Sequence, residues 1–177
     1  MQILVRTLTV NRIITCALLW FACGLVQTAA VAEQGTRTVA PDWQLDGVNG
    51  EVIDFYSVNT ERPAVILFWA TWCPYCKALF PGLKQLHAEF ADSGVAFYAL
   101  NVWEDGDPKA YFSEHDIPLT LLLAGDLVAE EYGVSGTPAV FVVDRNHRIV
   151  YSRRRGESPD DVVNAIRRAL QHATNQS

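Results

Sequence analysis

The sequence predicts one α/β domain, in which a small sheet with parallel crossovers ends in a hairpin and a helix. Ala64–Trp69 is an unbroken apolar run, as expected of a central strand covered on both faces. A second apolar run at residues 95–100 predicts a neighbouring strand, and the helical pattern between the two indicates a crossover. Ala139–Val143 and Ile149–Ser152 lie on either side of a turn that contains Asn146, which predicts the closing hairpin.

The first half of the chain contains a predicted tether, a hairpin and a long helix. Residues 33–39 are polar and predict the tether, and the dipeptide Asn49-Gly50 predicts a hairpin turn within residues 43–55. A helix is predicted from residue 73 to about residue 90, with a kink at Pro81. Its apolar face consists of Leu79, Leu83, Leu86 and Phe90.

The second half predicts shorter elements and then a final helix. Residues 101–118 form a loop that carries a short helix at 108–115, and residues 119–123 are a candidate strand. Asp126 is a candidate cap for a helix that runs to Tyr132. Ser158 before Pro159 is a helix start, and that helix is predicted to end near Leu170. The predicted domain therefore spans residues 40–171, with a tail at 172–177.

Residues 1–32 have the pattern of a secretory signal. Arg6 and Arg12 precede an apolar stretch at residues 13–26, and Ala30-Val31-Ala32 is a small-x-small cleavage site. Two alternatives remain open: a retained membrane anchor, because residues 13–32 are about long enough to cross a bilayer, and a lipoprotein that uses Cys23. All three place the domain in the periplasm or on the extracytoplasmic face of the inner membrane, where disulfides persist.

The composition argues against nucleic acid as a partner. The chain has 20 acidic and 14 basic residues, and its formal net charge is −6 at pH 7. Such a charge opposes binding to phosphates and mainly favours solubility.

Cys73 and Cys76 form a Cys-x-x-Cys pair where a buried strand is followed by a helix. Unpaired N–H groups and the helix dipole at a helix N-terminus favour a thiolate, which is the nucleophile of disulfide exchange. Cys73 is therefore the predicted attacking thiol, accessible and acidic, and Cys76 is the hindered resolving thiol. A zinc site would need more ligands, but Cys16 and Cys23 lie in the N-terminal apolar segment. A structural disulfide would close a loop too short to stabilise the fold much.

The order of these features resembles thioredoxin, in particular the extracytoplasmic TlpA/ResA/CcmG branch of thiol-disulfide oxidoreductases. The resemblance covers residues 40–170 and implies a thioredoxin fold with an N-terminal hairpin and a central insertion at residues 101–123. It depends on Ala40-Pro41-Asp42, on Phe68-Trp69-Ala70-Thr71-Trp72-Cys73-Pro74-Tyr75-Cys76, on Pro81, and on Tyr132-Gly133-Val134-Ser135-Gly136-Thr137-Pro138.

The resemblance implies that Thr137–Pro138 is a cis peptide that faces the disulfide, and that the backbone of this loop pairs with a substrate strand. The proline would also exclude metal from the dithiol, so no metal is expected. The implied client-binding residues are Trp72, Pro74, Tyr75, Thr137 and Pro138. The alternative is that Pro138 is an ordinary turn proline.

The sequence departs from this pattern at two places. Leu67 stands where thioredoxins have a buried aspartate, so that proton relay is absent. The TlpA/ResA branch instead has a glutamate in the segment after the next strand, which Asn101-Val102-Trp103-Glu104 matches. The resemblance therefore implies that Glu104, with a pKa raised by an apolar pocket, exchanges a proton with Cys76. The alternative is a solvated loop acid beside Asp105 and Asp107. The Pro74-Tyr75 dipeptide is the glutaredoxin pairing, but no Gly-Gly follows Pro138, so glutathione binding is not inferred.

The predicted function is reduction of disulfides in extracytoplasmic client proteins, such as apocytochrome c or copper-site proteins of respiratory oxidases. No cofactor is expected beyond the Cys73–Cys76 disulfide, and a membrane thiol reductase of the DsbD/CcdA type is implied as the partner that regenerates the dithiol. Two alternatives remain open: an oxidase that donates its disulfide, and a Cu(I)-binding chaperone that uses the two thiolates.

Overall fold

The fold was analysed in a computed structural model, which describes residues 38–175. The predicted signal or anchor at residues 1–32 and residues 33–37 of the predicted tether lie outside the described residues. Among the residues described, no helix is long and apolar enough to cross a membrane.

A five-stranded sheet and a separate two-stranded hairpin make up the β-structure of the described residues. The hairpin strands β1 and β2 are antiparallel, and the sheet has the strand order β5-β4-β3-β6-β7. Strands β3, β4 and β5 run parallel, whereas β6 and β7 are antiparallel to their neighbours. The strands are β1 Gln44–Asp46, β2 Val52–Asp54, β3 Ala64–Trp69, β4 Ala96–Asn101, β5 Thr120–Leu122, β6 Ala139–Val143 and β7 Ile149–Ser152.

Within residues 38–175, five α-helices connect or follow these strands. Cys73 caps α2 and Ser158 caps α5, and both helices have a proline in the first turn. The helices are α1 Phe55–Val58, α2 Pro74–Glu89, α3 Pro108–Glu114, α4 Asp126–Glu131 and α5 Pro159–Thr174.

Both faces of the sheet are buried, and β3 shows why its sequence is continuously apolar. Val65, Leu67 and Trp69 pack into the core cluster that contains residues of α2 and α5. The alternate residues, among them Ile66 and Phe68, pack into a second cluster on the other face. Since successive side chains of a strand point to opposite faces, a strand covered on both sides needs apolar residues at every position.

The topology brings the two predicted active-site segments to one edge of the sheet. Strand β3 ends at Trp69, and three residues separate it from Cys73, the N-cap of helix α2. Strand β6 begins at Ala139, which pairs with Phe68 of β3. Pro138 precedes Ala139 directly, so both segments lie where β3 ends and β6 begins.

The predicted thioredoxin fold, with its N-terminal hairpin, is confirmed. Gly50 takes φ +79 in the turn of the hairpin, a conformation that favours glycine. The inserted segment forms α3 and β5, which adds an edge strand to the sheet. Pro81 lies within α2, and the helix continues past it to Glu89.

Three boundary predictions are wrong. Val39 bridges Arg148 instead of belonging to a tether, because its neighbours are also bonded: the Thr38 carbonyl accepts from the Ile149 N–H of β7, and the Ala40 N–H donates to the His147 carbonyl. Helix α5 extends one turn beyond Leu170, because Ala173 is buried, so the tail does not begin at residue 172.

The third wrong prediction is the cap of helix α4. Asp126 is the first helical residue, and Gly125 occupies the N-cap position without a side-chain hydrogen bond. The Asp126 carboxylate instead accepts a hydrogen bond from the backbone N–H of Trp103, at 2.9 Å.

Candidate active site

Cys73 and Cys76 form a disulfide at the N-terminus of helix α2, with 5.3 Å between their Cα atoms. Cys73 has an extended backbone, as an N-cap residue requires, and its Sγ accepts a hydrogen bond from the Cys76 N–H at 3.1 Å. A cap acceptor at this position receives both the N–H donor and the positive end of the helix dipole. In the reduced state the same contacts would stabilise a Cys73 thiolate.

Both sulfurs are more buried than the sequence analysis expected. Cys73 is 3% exposed and Cys76 is fully buried at 0%, so the predicted difference in access is small. Both belong to the core cluster that includes Trp69 and Phe80. Because of this packing, Cys73 is not an openly accessible thiol, and only a small part of its surface is open to a client.

The residues that flank Cys73 in the chain are exposed. The side chains of Trp72 and Tyr75 are 47% and 59% exposed, and Pro74 between the cysteines is exposed as well. Single exposed apolar residues are common on soluble proteins, but adjacent exposed aromatic residues next to a reactive group are typical of an interaction surface.

Trp103 is a site residue that the sequence analysis did not identify. Its side chain is 39% exposed, and its carbonyl accepts a hydrogen bond from the Trp72 indole at 2.7 Å. The backbone has φ +49, which is unfavourable for tryptophan, and its N–H donates to Asp126. The predicted pairing of the strands before Trp72 and Trp103 was the signal that could have placed these two residues close together.

The Glu104 carboxylate connects the loop after β4 to the residue two positions before Cys73. One oxygen accepts from the Thr71 N–H at 2.9 Å and from the Asn101 amide, and the other accepts from the Thr71 hydroxyl. The second oxygen also accepts from the backbone N–H groups of Asp105 and Gly106, at 3.0 and 2.9 Å. A Cβ atom on Gly106 would lie 2.5 Å from the Thr71 hydroxyl, so this close approach requires glycine.

The expected raised pKa of Glu104 is wrong. Burial raises the pKa of this carboxyl, but the hydrogen bonds from Thr71, Asn101 and Gly106 outweigh burial and lower the pKa from 4.5 to about 2. The ionised form is therefore the stable one at neutral pH. A carboxylate whose oxygens both accept several hydrogen bonds is poorly suited to take up a proton from Cys76.

The Thr137–Pro138 peptide bond is cis, as predicted, and Pro138 is buried. Thr137, the residue before Pro138, differs from Thr71 in its hydrogen bonding. Thr137 has no hydrogen bond to its backbone N–H or C=O within residues 38–175, and its hydroxyl is buried without a partner. Buried polar groups normally have partners, so the Thr137 hydroxyl is available to a bound molecule, and the unpaired backbone N–H and C=O can form further hydrogen bonds.

No three side chains among His, Cys, Asp and Glu cluster as metal ligands in the described part of the chain. Cys16 and Cys23 lie outside it. Cys73 and Cys76 are thus the two described groups whose chemistry is that of disulfide exchange.

A profile of the AhpC/TSA family matches residues 36–152, which include both cysteines, Glu104 and Pro138. This chain belongs to the AhpC/TSA family. Within this family of thioredoxin-like proteins, it is similar to proteins that are named for thiol-disulfide exchange.

Two curated relatives and one solved structure illustrate the similarity. The thiol-disulfide oxidoreductase ResA of Geobacillus thermodenitrificans is 30% identical over 73% of each chain. The thiol:disulfide interchange protein DsbE homolog of Paracoccus denitrificans is 32% identical over 63% of each chain. A thioredoxin-family thiol:disulfide interchange protein of Chlorobium tepidum has the same fold, with a TM-score of 0.66, 23% identity, and coverage of 78% of this chain and 97% of its own. The AhpC/TSA chain described here is therefore a thiol-disulfide oxidoreductase of the DsbE/ResA type.

Proposed function

We propose that this protein reduces disulfides in extracytoplasmic client proteins. The observation that carries the proposal is the hydrogen bond from the Cys76 N–H to the Cys73 sulfur at the N-terminus of α2. This contact favours the thiolate of Cys73 and so makes Cys73 the nucleophile.

The reaction then takes two exchange steps. The Cys73 thiolate attacks one sulfur of a client disulfide, which forms a mixed disulfide and releases the other client sulfur as a thiolate. The Cys76 thiolate attacks the Cys73 sulfur, which releases the second client sulfur and forms the Cys73–Cys76 disulfide. Two electrons pass from the protein to the client, and each released thiolate takes a proton from solvent.

The free polar groups of Thr137 support a client that binds as an extended segment. Its unpaired N–H and C=O match the pattern by which an added strand pairs with an exposed backbone. Trp72 and Tyr75 are exposed beside the disulfide and offer aromatic surface to the residues that flank a client cysteine.

The proposed cellular location is the periplasm or the extracytoplasmic face of the inner membrane, with residues 1–32 as a signal or an anchor. The relatives are named as interchange proteins and thiol-disulfide oxidoreductases, which supports clients that carry disulfides. We propose a DsbD/CcdA-type membrane thiol reductase as the source of electrons. Cytochrome c and copper-oxidase maturation are the proposed settings.

The deciding experiment is thiol trapping of the protein in growing cells. A reductase is held as the dithiol by its electron donor, so Cys73 and Cys76 should be alkylated immediately after acid quenching. The reduction potential of the purified protein should lie near that of thioredoxin, about −270 mV, rather than near −120 mV. A fully oxidised pair in cells together with a potential near −120 mV would contradict the proposal and favour a disulfide-donating oxidase.

A further inference from the structure

Arg153 connects the segment that begins strand β6 to the start of helix α5. Its guanidinium donates from Nη1 to the Pro138 carbonyl at 3.2 Å, and from Nη2 to the Glu157 carbonyl at 3.3 Å. Its backbone N–H donates to the Val140 carbonyl at 2.9 Å, one residue beyond the end of β7. Arg153 thus contacts both Pro138 and a residue two positions after it.

The far end of this connection is itself held in place. The Glu157 carboxylate accepts hydrogen bonds from the Tyr151 hydroxyl at 3.1 Å and from the Arg154 N–H at 2.6 Å. Ser158, the next residue, caps helix α5 in a reciprocal pair with Asp161. The Arg153 guanidinium therefore ties Pro138 to an ordered helix start rather than to a mobile loop.

Arginine is suited to this position because its planar group has five N–H donors in a fixed geometry. Two carbonyls in different directions can be contacted at once, and hydrogen bonds from a charged donor are stronger than neutral ones. A lysine could contact one carbonyl, but its ammonium group does not hold donors in a fixed planar arrangement. The Arg153 Nε is buried and makes no hydrogen bond within residues 38–175, which indicates that the guanidinium is held by its two outer nitrogens.

We propose that Arg153 is a positioning residue for client binding. Its guanidinium fixes the Pro138 carbonyl and thereby the Pro138–Ala139 peptide group, which directly follows Thr137–Pro138. A client strand that pairs with Thr137 would then meet a loop that is already ordered, and ordering it at the moment of binding would cost affinity. Arg153 acts through Pro138 and Thr137 and does not touch the sulfurs. This inference is based on the proposed function.

The test compares two disulfide substrates: one is a peptide, whose backbone can pair with Thr137, and the other has no peptide backbone. Reduced protein is mixed in a stopped-flow instrument with a synthetic peptide that contains one intramolecular disulfide, or with the small aromatic disulfide dithiobis(nitrobenzoate). In Arg153→Met we expect the half-saturating peptide concentration to rise about tenfold, the loss typical of a charged hydrogen bond. In Arg153→Lys the half-saturating peptide concentration should rise less. The rate with dithiobis(nitrobenzoate) and the reduction potential should stay at the wild-type values.

Arg154→Met is the matched control, since it removes the same charge one residue on, where no side-chain contact to Pro138 exists. It should behave as wild type with both disulfides. The positioning role would be overturned if the half-saturating peptide concentration is unchanged in Arg153→Met, or if the rates fall equally for both disulfides. If Arg153→Met does not fold, the same two outcomes are judged in Arg153→Lys. Wild-type protein that reduces neither disulfide would instead contradict the proposed function, on which this role depends.

Discussion

The two loops beside the disulfide differ in how their polar groups are satisfied. In the loop before α2, Thr71 donates both its N–H and its hydroxyl to Glu104, and the Trp72 indole donates to Trp103. In the loop before β6, Thr137 has an unpaired backbone and a buried hydroxyl without a partner. The first loop is a completed network that fixes the sulfurs, whereas the second retains groups for a bound partner. The loop before α2 thus makes the site rigid, whereas the loop before β6 has the groups that can bind a partner.

The largest effect should come from the cysteines. Cys73→Ser should abolish disulfide reduction, because the nucleophile is lost. Cys76→Ala should keep the first exchange step and accumulate mixed disulfides between Cys73 and client proteins. Non-reducing gel electrophoresis followed by mass spectrometry measures both outcomes. Client adducts on Cys76 in a Cys73→Ala variant, and none on Cys73 in Cys76→Ala, would reverse the assigned roles.

Glu104→Gln should be the most destabilising change in the rigid loop. The amide places N–H donors where Thr71 and Gly106 already donate, and the charge-assisted bonds are lost. We expect a loss of about 2–3 kcal/mol in the free energy of unfolding, measured by denaturant titration. Asp105→Asn removes an exposed neighbouring charge and is the control, with an expected change near zero. An equally small effect at Glu104 would show that the network does not hold the loop.

The same residue predicts a pH dependence of stability. The folded-state pKa of Glu104 is lowered to about 2 from 4.5, so its stabilisation is present above pH 4.5 and is lost as the pH falls toward 2. Wild type should therefore lose stability between neutral pH and about pH 3 by more than Glu104→Gln does. Parallel curves for the two proteins would contradict the lowered pKa.

Thr137→Val tests the open loop. Valine has nearly the same shape and removes a buried hydroxyl that has no partner, so the free protein should gain about 1 kcal/mol in stability. If the hydroxyl serves a bound client, the same variant should bind a disulfide peptide less tightly. Thr137→Ser keeps the hydroxyl and is the control for peptide binding. A variant that is destabilised would mean that the hydroxyl already has a partner in solution.

Trp72→Phe should have the smallest effect. It removes the indole N–H that donates to the Trp103 carbonyl but keeps an exposed aromatic ring. An exposed hydrogen bond contributes about 0.5–1 kcal/mol, so the midpoint of denaturant unfolding should fall slightly while activity is retained. A large loss of activity would assign the indole a role in the chemistry that the structure does not indicate.

The sequence predicted the parts that depend on local patterns. Because β3 is buried on both faces, its sequence is a continuous apolar run that could be recognised as a strand, and Ser158 could be recognised as a helix cap. The start of the long helix was predicted at Cys73, which is the N-cap, one residue before the helix begins. The cis bond at Pro138 followed from the family resemblance rather than from any local pattern.

The errors arose where distant residues determine the outcome. The pKa of Glu104 depends on donors from Thr71, which is 33 residues away in the chain, and an isolated motif gives no sign of them. Asp126 looked like a cap, but its carboxylate accepts from Trp103, which β4 brings close. Arg153 was not identified for the same reason, since its partner Pro138 is 15 residues earlier, in the loop before strand β6.

The order of strands in the sheet has a consequence for biosynthesis. The central strand β3 needs β4 on one side and β6 on the other, and Ala64 pairs with Val143, about 80 residues later. Cys73 and Cys76 are therefore synthesised well before the last strands that complete the sheet around them. During that interval they are ordinary exposed thiols of an unfolded chain, open to pairing with other cysteines. Completion of the C-terminal hairpin is the event that turns two vulnerable thiols into a protected redox centre.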